Sequence, residues 1–475
     1  MKRCVCYMNN PKPRHLLISF CWAFIAFFVF SQRFPTPAAA QFPITDFPAQ
    51  GFAWNLNSVD GVNSIAVKDS VLLTGGRSKD FKSIEINCVD ITDGSINWAI
   101  KFPRLAEWWR DNGASGLRSD LVIKNDFVVL YSNRGEVVCL DICGQSNGND
   151  GIKDKSEEDH NADIVWKYDL SAELGVFKKS VAGFGSPWPC PIIIGDRVYC
   201  ATGNADAHGL PANVVDTLKS FPVPAPNAPS CVCLNLNDGS LIWSQNTPSK
   251  SVKHASIASP VKIVHEQKSL LFLVGGDGKA YGISEADGKI AWTLSDQFLW
   301  SWCAPVVDHK HVYVCNSPPP GSGVGPSEIV CYSQKGLILN EEEATPKWVY
   351  RNSSYSGTWV PAVVSHEILF VITSDVGRLL AIDVSTGQEL WRDDLDCSVM
   401  DFASMKVIDN ILMVPADGGC RSYRIGRRKK VIEQVAWNSF LTSGIESTPR
   451  LLILPSIHRV SAAKKEELFP NTFAE

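Results

Sequence analysis

Hydrophobic and polar residues alternate along this chain in short runs, and residues that favour turns separate the runs. Residues 381–391, A-I-D-V-S-T-G-Q-E-L-W, show the pattern most clearly. One predicted strand ends at Asp383, Thr386 and Gly387 form the turn, and a second strand ends at Trp391. Because glycine adopts a positive φ without steric cost, a Thr-Gly pair between two alternating runs predicts a β-hairpin.

This hairpin recurs along the chain. Residues 88–98, 233–243 and 281–292 repeat the pattern, and weaker copies end at Trp166 and Trp348. The tryptophans that end the copies are Trp54, Trp98, Trp166, Trp243, Trp292, Trp348, Trp391 and Trp437. Their spacing runs from 43 residues, between Trp348 and Trp391, to 77 residues, between Trp166 and Trp243. The short spacings match one four-stranded propeller blade, and the long ones indicate insertions.

The segment between Trp348 and Trp391 predicts the whole repeat unit. Strands are expected at residues 358–364, 368–373 and 378–383, followed by the strand that carries Trp391. Four short antiparallel strands form a β-meander, and meanders repeated around an axis form a propeller. We therefore predict an all-β, eight-bladed β-propeller of four-stranded antiparallel blades, with seven blades as the alternative.

The two ends of the chain are predicted to close the ring. The last blade, residues 447–462, has material for about two strands. The strand that carries Trp54 is expected to complete this blade, so that N- and C-terminal strands share one sheet. The propeller is then predicted over residues 41–462, with a polar tail at 463–475.

The N-terminal segment predicts export. Basic residues precede an apolar run at 16–30, and the A-x-A sequence at 38–40 follows it. A basic segment, an apolar segment and a small-residue cleavage site together describe a secretory signal peptide, here residues 1–40. The alternative is an uncleaved membrane anchor over residues 16–30, although the run is short for a membrane span. The expected location is the periplasm or the cell envelope.

Composition and charge argue against a disordered chain and against a nucleic-acid-binding protein. The chain has 475 residues, of which 45% are hydrophobic and 20% charged, which is ordinary for a globular protein. Its net charge of −5 gives no electrostatic reason to expect a nucleic-acid partner. The basic run at residues 427–430 is interpreted as a solvated hairpin turn.

Three of the 15 cysteines fall in the predicted signal peptide. Cys88, Cys139, Cys233 and Cys331 occupy equivalent repeat positions, where the clearest repeat has Ala381. We predict that these four are buried small apolar side chains, with a disulfide framework as the alternative. The sequence contains no C-x-x-C pair, so it gives no indication of zinc or thiol redox chemistry.

Three insertions interrupt the repeats, at residues 143–163, 204–230 and 317–327. The last two follow the second strand of their blades. In an antiparallel meander such loops emerge at the same end as the connections between blades, so we predict that this end, here called the insertion face, is functional. The candidate binding residues on it are Trp108, Trp109, Asp206, His208, His254, Asp277 and Trp300.

Metal binding has weak support in the sequence. The acidic insertion offers oxygen ligands for calcium at Asn147, Asn149, Asp150 and Asp154, but it lacks the spacing of a calcium-binding loop. A solvated loop is the favoured interpretation, and no metal site is predicted. Asp206, His208 and His254 are chemically able to bind a metal or transfer protons, but they serve equally well to satisfy loop backbone groups. His309 and His311 are expected to be exposed in a turn.

The repeated A-x-D-x-x-T-G-x-x-x-W pattern resembles the quinoprotein-type repeat of pyrroloquinoline-quinone (PQQ)-like propellers. The chain is similar to secreted bacterial propellers of the barrel-assembly-lipoprotein-like kind, including planctomycete ones, in segments such as residues 166–175, 226–230 and 275–278. The resemblance implies an eight-bladed propeller in which tryptophans dock neighbouring blades. Those tryptophans are Trp98, Trp166, Trp243, Trp292, Trp348 and Trp391.

If this chain were a quinone-dependent dehydrogenase of this family, the resemblance would imply an adjacent cysteine pair, a calcium held by Glu, Asn and Asp, and a catalytic Asp. No cysteines are adjacent here, and Cys231 and Cys233 are the nearest pair. No segment matches the metal or catalytic residues, so no catalytic residue is assigned. No cofactor is expected, with PQQ and calcium as the alternative.

The sequence favours an exported, non-catalytic, monomeric scaffold that binds a protein or an envelope component through the insertion face. Contact with a membrane is expected only through the N-terminal segment. One alternative is a PQQ-dependent oxidoreductase with an atypical site. Another is a small-molecule or carbohydrate binder that uses Trp108, Trp109 and Trp300.

Overall fold

The computed structural model describes residues 52–465, apart from positions 57–59, 81, 104–116, 118, 150, 154–157, 177–189, 205–220, 223–224, 248–250, 253–257, 295–300, 302, 318–326, 341–344, 353–354, 356, 359, 374–376, 396–403, 417–418, 437–445, 449–450 and 457–458. The chain divides into two units, and all the described residues belong to the second, Pro43–Glu475. The predicted signal peptide and residues 466–475 lie outside the described residues.

The described strands form eight sheets of four or five strands, numbered here as blades 1–8 in chain order, and one two-stranded sheet. The chain enters at β1 (Phe52–Leu56). Blade 1 has β2 (Asp60–Lys68), β3 (Val71–Arg77), β4 (Ser83–Asp90) and β5 (Ile96–Pro103). Blade 2 has β6 (Val122–Lys124), β7 (Phe127–Tyr131), β8 (Glu136–Asp141) and β10 (Ile164–Asp169), and its insertion contains β9 (Glu158–His160). Blade 3 has β11 (Ile192–Ile194), β12 (Arg197–Ala201), β14 (Cys231–Asn235) and β15 (Leu241–Gln245). The small sheet has β13 (Phe221–Pro222) and β16 (Ser251–Val252).

Blade 4 has β17 (Val261–His265), β18 (Lys268–Val274), β19 (Ala280–Ile283) and β20 (Ile290–Leu294). Blade 5 has β21 (Val306–Val307), β22 (His311–Asn316), β23 (Glu328–Ser333) and β24 (Trp348–Tyr350). Blade 6 has β25 (Val363–Ser365), β26 (Ile368–Thr373), β27 (Arg378–Asp383) and β28 (Glu389–Asp394). Blade 7 has β29 (Lys406–Ile408), β30 (Ile411–Ala416), β31 (Gly419–Arg424) and β32 (Val431–Ala436). Blade 8 has β33 (Glu446–Ser447), β34 (Leu451–Ser456) and β35 (Arg459–Lys464). The described residues also form three short helices, which are a 3₁₀ helix (Gly144–Asn147), α1 (Leu170–Leu174) and α2 (Gln334–Leu339).

The N-terminal strand closes the ring. β1 pairs antiparallel with β35, with Trp54 opposite Ala462, so blade 8 takes its outer strand from the start of the chain. This confirms the predicted fold: an all-β propeller with eight blades and a shared closing sheet. First strands of neighbouring blades contact one another, which places them around the centre of the ring. β35 extends to Lys464, two residues beyond the predicted end of the propeller.

Packing between blades forms the core. Seven hydrophobic clusters among the described residues each combine side chains of two neighbouring blades. In β4, for example, Ile86 and Cys88 face blade 2, whereas Val89 faces blade 8. Because both faces of a blade are covered, a central strand can be buried along its whole length, as β26 is.

In six of the eight described blades, one tryptophan docks on the next blade. The indole N–H donates to a backbone carbonyl in the next blade's turn between its third and fourth strands. These bonds join Trp54 to Ile91 (2.8 Å), Trp98 to Ile142 (2.8 Å), Trp166 to Leu236 (2.7 Å), Trp243 to Glu285 (3.0 Å), Trp348 to Val384 (2.8 Å) and Trp391 to Gly426 (3.0 Å). Each of these six seams therefore combines an aromatic ring with a directed hydrogen bond.

The turn that receives the indole needs glycine. Gly387 has φ +71°, and a Cβ added to it would lie 2.6 Å from Cδ2 of Trp348. Its N–H donates to the carbonyl of Asp383 at 2.9 Å, and the carboxylate of Asp383 accepts from the N–H groups of Ser385 and Thr386, both at 2.9 Å. The Asp and the Gly of the repeat pattern therefore shape the surface on which the indole of the previous blade lies.

A small residue faces each tryptophan across its own hairpin. Cys88, Cys139, Cys233 and Cys331 pair with Trp98, Trp166, Trp243 and Trp348, as Ala381 pairs with Trp391. All four cysteines are free and buried, which confirms the prediction that they serve as small apolar side chains. Cys143, Cys200, Cys231, Cys315 and Cys420 are also free.

Two blades depart from the pattern. In blade 5, α2 takes the place of the turn, and the indole N–H of Trp292 is buried with no hydrogen-bond partner among the described residues. In blade 7, Glu433 pairs with Ser422 beside the strand irregularity, which is the tryptophan position of the other blades. Assigning Trp437 to this position from the sequence was therefore wrong, and Trp437 itself lies outside the described residues.

The indole hydrogen bond makes a testable contribution to stability. We expect Trp98→Phe to lower the free energy of unfolding by about 1–3 kcal/mol more than Trp292→Phe does. The Trp98 indole donates to the buried carbonyl of Ile142, which loses this donor in the variant, whereas the Trp292 indole has no hydrogen bond to lose among the described residues. Urea unfolding of both variants measures the difference. Equal losses would show that the N–H bond contributes nothing measurable to the seam.

The docking glycine gives a second test with two matched controls. We expect Gly387→Ala to cost about 2–4 kcal/mol, from its positive φ and its contact with Trp348 together. Gly175→Ala, with φ +68° but open space around it, should cost about 1 kcal/mol. Gly426→Ala, with open space and an ordinary φ, should change stability by less than about 0.5 kcal/mol. If Gly387→Ala costs no more than Gly175→Ala, the indole contact is not a constraint.

Candidate binding face

The insertion face is the end of the propeller that carries the loops between second and third strands. The blade 3 insertion leaves β12 at Ala201 and returns at Cys231, and the blade 5 insertion leaves β22 at Asn316 and returns at Glu328. Both therefore connect second to third strands, as the sequence predicted. The described residues at the bases of these two insertions are held by buried hydrogen bonds.

Buried polar side chains anchor the blade 3 insertion. Asn204, which is 1% exposed, donates from its amide to the carbonyls of Ala225 at 2.9 Å and Ala228 at 3.2 Å. The hydroxyl of Thr202 donates to the carbonyl of Pro229 at 2.6 Å, and the carbonyl of Thr202 accepts from Tyr131 of blade 2 at 2.9 Å. One asparagine thus ties the outgoing and returning ends of the loop together.

A small sheet connects this insertion to the next blade connection. Phe221 and Pro222 of the insertion pair antiparallel with Val252 and Ser251, which lead from blade 3 to blade 4. At the returning end, the N–H of Ser230 donates to the carbonyl of Gln245 at 2.8 Å. The insertion is therefore held at its base and again along its length.

The blade 5 insertion begins beside a similar anchor. Ser317 is 2% exposed. Its hydroxyl donates to the carbonyl of Cys315 at 3.1 Å and accepts from the N–H of Thr358 at 2.8 Å. Gly357 has φ +110° and passes close to Ser317, so that a Cβ there would lie 3.0 Å from the serine Cβ. The connection into blade 6 is fixed against the base of the loop.

Of the candidate binding residues, Asp277 is among those that the structure describes. Its carboxylate accepts from the Tyr281 hydroxyl at 2.5 Å and from the N–H of Lys279 at 3.3 Å. Burial, together with this carboxylate, raises the pKa of Tyr281. Asp277 thus supports its own turn between β18 and β19. The remaining candidates, Trp108, Trp109, Asp206, His208, His254 and Trp300, lie outside the described residues.

The acidic insertion of blade 2 joins two blades. Its strand β9 pairs antiparallel with β5, with Glu158 opposite Lys101, and so adds a fifth strand to blade 1. Asn147 donates to the carboxylate of Asp141 at 3.0 Å, whereas Asp150 and Asp154 lie outside the described residues. Asn149 is exposed. The part of the chain that the structure describes contains no group of three metal-ligating side chains.

The same insertion forms one wall of a cleft on the opposite end of the propeller. The cleft has a volume of about 660 Å³ and lies between blades 1 and 2. Lys68 crosses this boundary to the Asp126 carboxylate at 3.0 Å. The other lining residues are Asp69, Ser70, Val71, Asn97, Ile142, Cys143, Gln145, Ser146 and Asn161. This cleft could not be found from the sequence, because it depends on where the insertion folds back.

One polar cluster contradicts the sequence analysis. His309 is exposed as expected, but the side chain of His311 is 12% exposed and lies 3.3 Å from the Asp308 carboxylate. The Tyr313 hydroxyl donates to the same carboxylate at 2.7 Å. Burial alone would raise the pKa of Asp308, but the hydrogen bonds from Tyr313 and from two backbone N–H groups hold that pKa below its ordinary value. The cluster orders the blade 5 turn.

The basic run at residues 427–430 is also partly structural. Arg427 pairs with Asp383 at 2.5 Å and Lys429 with Asp393 at 2.8 Å, both across the seam between blades 6 and 7. Asp393 also accepts from Arg421, which is 5% exposed, at 2.9 Å. Burial would raise the pKa of Asp393, but its bonds to Lys429 and Tyr423 and the charge of Arg421 keep it lowered. Two of the four basic residues therefore hold blades together.

Comparison with known proteins agrees with this architecture. Residues 223–328, from the blade 3 insertion to the third strand of blade 5, match the family described as outer membrane protein assembly factor BamB. No sequence among the curated proteins compared matches the chain. Within the described part of the chain, no helix is long and apolar enough to cross a membrane.

Solved structures share the fold at low sequence identity. BamB from Moraxella catarrhalis is 13% identical with a TM-score of 0.52, and the match covers 86% of this chain and 98% of that one. Sqt1 from Chaetomium thermophilum, solved bound to the N-terminus of ribosomal protein L10, is 10% identical with a TM-score of 0.53, over 87% of this chain and 99% of that one. The computationally designed protein Ika8 is 10% identical with a TM-score of 0.52. Residues 223–328 therefore resemble the BamB-type PQQ-like repeat, and the described strands of the chain form the eight blades of a β-propeller.

Proposed function

We propose that this protein is an exported, non-catalytic scaffold that binds another protein, or a component of the cell envelope, through its insertion face. The observation that carries the proposal is the anchored blade 3 insertion. Asn204 and the β13–β16 sheet hold the described parts of this insertion against the ring. A loop held at its base loses less conformational entropy when a partner binds, so anchoring favours recognition.

The side chains in the seams are used for packing and pairing, which supports binding by the loops. The seams hold interlocked apolar clusters, and their charged side chains pair with one another, as Asp393 does with Arg421 and Lys429. Side chains engaged in packing or pairing are poorly available to a ligand. Loops on a rigid scaffold are free to vary without disturbing the core, so they are the natural place for recognition.

The comparisons support the choice of a protein partner. The matching family is described as an outer membrane assembly factor, which agrees with export to the cell envelope. Sqt1 has a propeller of similar architecture and was solved with a bound segment of another protein. These likenesses concern the fold, so the partner class and the location remain part of the proposal.

Site-specific photo-crosslinking tests the binding face. Benzoylphenylalanine in place of Lys279, in the insertion-face turn of blade 4, should crosslink to a protein of the cell-envelope fraction. The matched control carries the same amino acid in place of Lys289, which is 83% exposed at the opposite end of the same blade. Crosslinks of equal yield at both positions, or none at position 279, would contradict the proposed face.

A thermal melt separates the scaffold from the oxidoreductase alternative. We expect no change in melting temperature when PQQ and Ca²⁺ are added together at saturating concentration. A ligand that binds only the folded state must raise the melting temperature by mass action. A clear increase, absent with Ca²⁺ alone, would favour a PQQ-dependent oxidoreductase over the proposed scaffold. Quenching of tryptophan fluorescence by a sugar would instead favour the carbohydrate-binding alternative.

A further inference from the structure

The seam between blades 1 and 2 brings two cysteines together. Cys88 lies in the third strand of blade 1 and is 1% exposed, whereas Cys143 lies in the receiving turn of blade 2 and is exposed. The thiol of Cys88 donates to the carbonyl of Ile142 at 3.7 Å. That carbonyl belongs to the peptide unit that ends on the nitrogen of Cys143. The sulphur of Cys88 therefore lies against the backbone that leads into Cys143.

The arrangement is specific to this seam. In three other seams a repeat cysteine also faces the docking tryptophan, but the residue after the acceptor carbonyl is Asn237, Ala286 or Ser385. The sulphur atoms of Cys139 and Cys331 contact the backbone carbonyl of the residue that follows each of them in the chain, and not a carbonyl of the next blade. Only Cys88, among these described repeat cysteines, combines a contact to the next blade with a second cysteine there.

We propose that Cys88 and Cys143 form an inter-blade disulfide when the protein meets a disulfide oxidant, and that this bond locks blade 1 to blade 2. The Cys143 thiolate attacks a small-molecule disulfide, forms a mixed disulfide and releases one thiol. Cys88 then loses its proton and attacks the Cys143 sulphur, which releases the second thiol. The two protein thiols are oxidised by two electrons, and the small disulfide is reduced to two thiols.

The seam tolerates the new bond. The Ile142 carbonyl also accepts from the indole of Trp98 at 2.8 Å, so it stays hydrogen-bonded after Cys88 turns away. Cys143 lines the cleft, and Asn97, another residue of its wall, hydrogen-bonds the buried thiol of Cys88. An oxidant that reaches the cleft meets the exposed sulphur first and the buried one second.

The reaction should be slow near neutral pH and faster at alkaline pH. Burial raises the pKa of Cys88 to about 12. Burial and the nearby carboxylates of Asp141 and Asp126 raise the pKa of Cys143, although Lys68 opposes them. Because the thiolate is the attacking species, raised pKa values lower the rate of both steps at neutral pH.

Peptide mapping of the full chain after incubation with oxidised glutathione tests the proposal. We expect one cross-linked peptide pair, which contains Cys88 and Cys143 and lacks the mass of two hydrogen atoms, while Cys139, Cys233 and Cys331 remain thiols. The oxidised chain should melt several degrees higher than the reduced chain, because the bond closes a long loop of the unfolded state. Faster formation at alkaline pH is part of the expected result.

Two variants decide between outcomes. Cys88→Ala copies the alanine found at the same position in blade 6 and should fold, and it should accumulate glutathione on Cys143 because the second step has no thiol. Cys143→Ser, which copies Ser385 of blade 6, should form neither the adduct nor the cross-link. If the unaltered chain accumulates only the Cys143 glutathione adduct, or if Cys143 pairs with another cysteine, the proposal is overturned.

Discussion

The docking of one indole on the next blade's turn is the interaction on which the ring depends. A single blade has two apolar faces and cannot bury either alone, so each needs its neighbours. In six seams the tryptophan supplies a large apolar side chain, and its N–H selects one carbonyl of the next turn. The positive-φ glycine beneath it, such as Gly387, allows the backbone to come close enough for that bond.

The seams that lack part of this contact show how it is replaced. Between blades 4 and 5, the helix α2 packs Leu337 and Ile338 against Trp292. Its first residue, Gln334, accepts from the N–H of Val264 at 2.6 Å and donates to the carbonyl of Asp308 at 2.5 Å. One amide side chain thus connects two blades where the indole N–H does not.

Ion pairs contribute to the contact between blades 6 and 7. Arg421 is buried at a position where blades 2 and 3 have Val138 and Val232, and it is matched by Asp393. A buried charge without a partner is strongly destabilising, so Arg421 and Asp393 depend on each other.

These seams leave the loops as the variable part of the molecule. The blade 3 insertion is tied down by Asn204, whereas the blade 2 insertion is used to extend blade 1 through β9. Insertions of similar appearance in the sequence therefore have different structural roles. Of these two insertions, only the one in blade 3 connects a second to a third strand and so leaves from the insertion face.

The sequence by itself determined the repeat, the eight blades and the closing strand, because strand alternation and Asp-x-x-x-Gly turns are local properties that repeat with the blade. It also indicated that Cys88 and its equivalents are small core residues. Only the tertiary structure decided that β9 leaves blade 2 for blade 1, that Glu433 takes the place expected for a tryptophan, and that His311 is drawn in by Asp308. It alone brought Cys88 to Cys143. Apart from the local pair of Asp308 and His311, these are contacts between residues far apart in the chain or across an irregular strand. A local pattern carries no information about such contacts, because their geometry is set by how neighbouring blades pack.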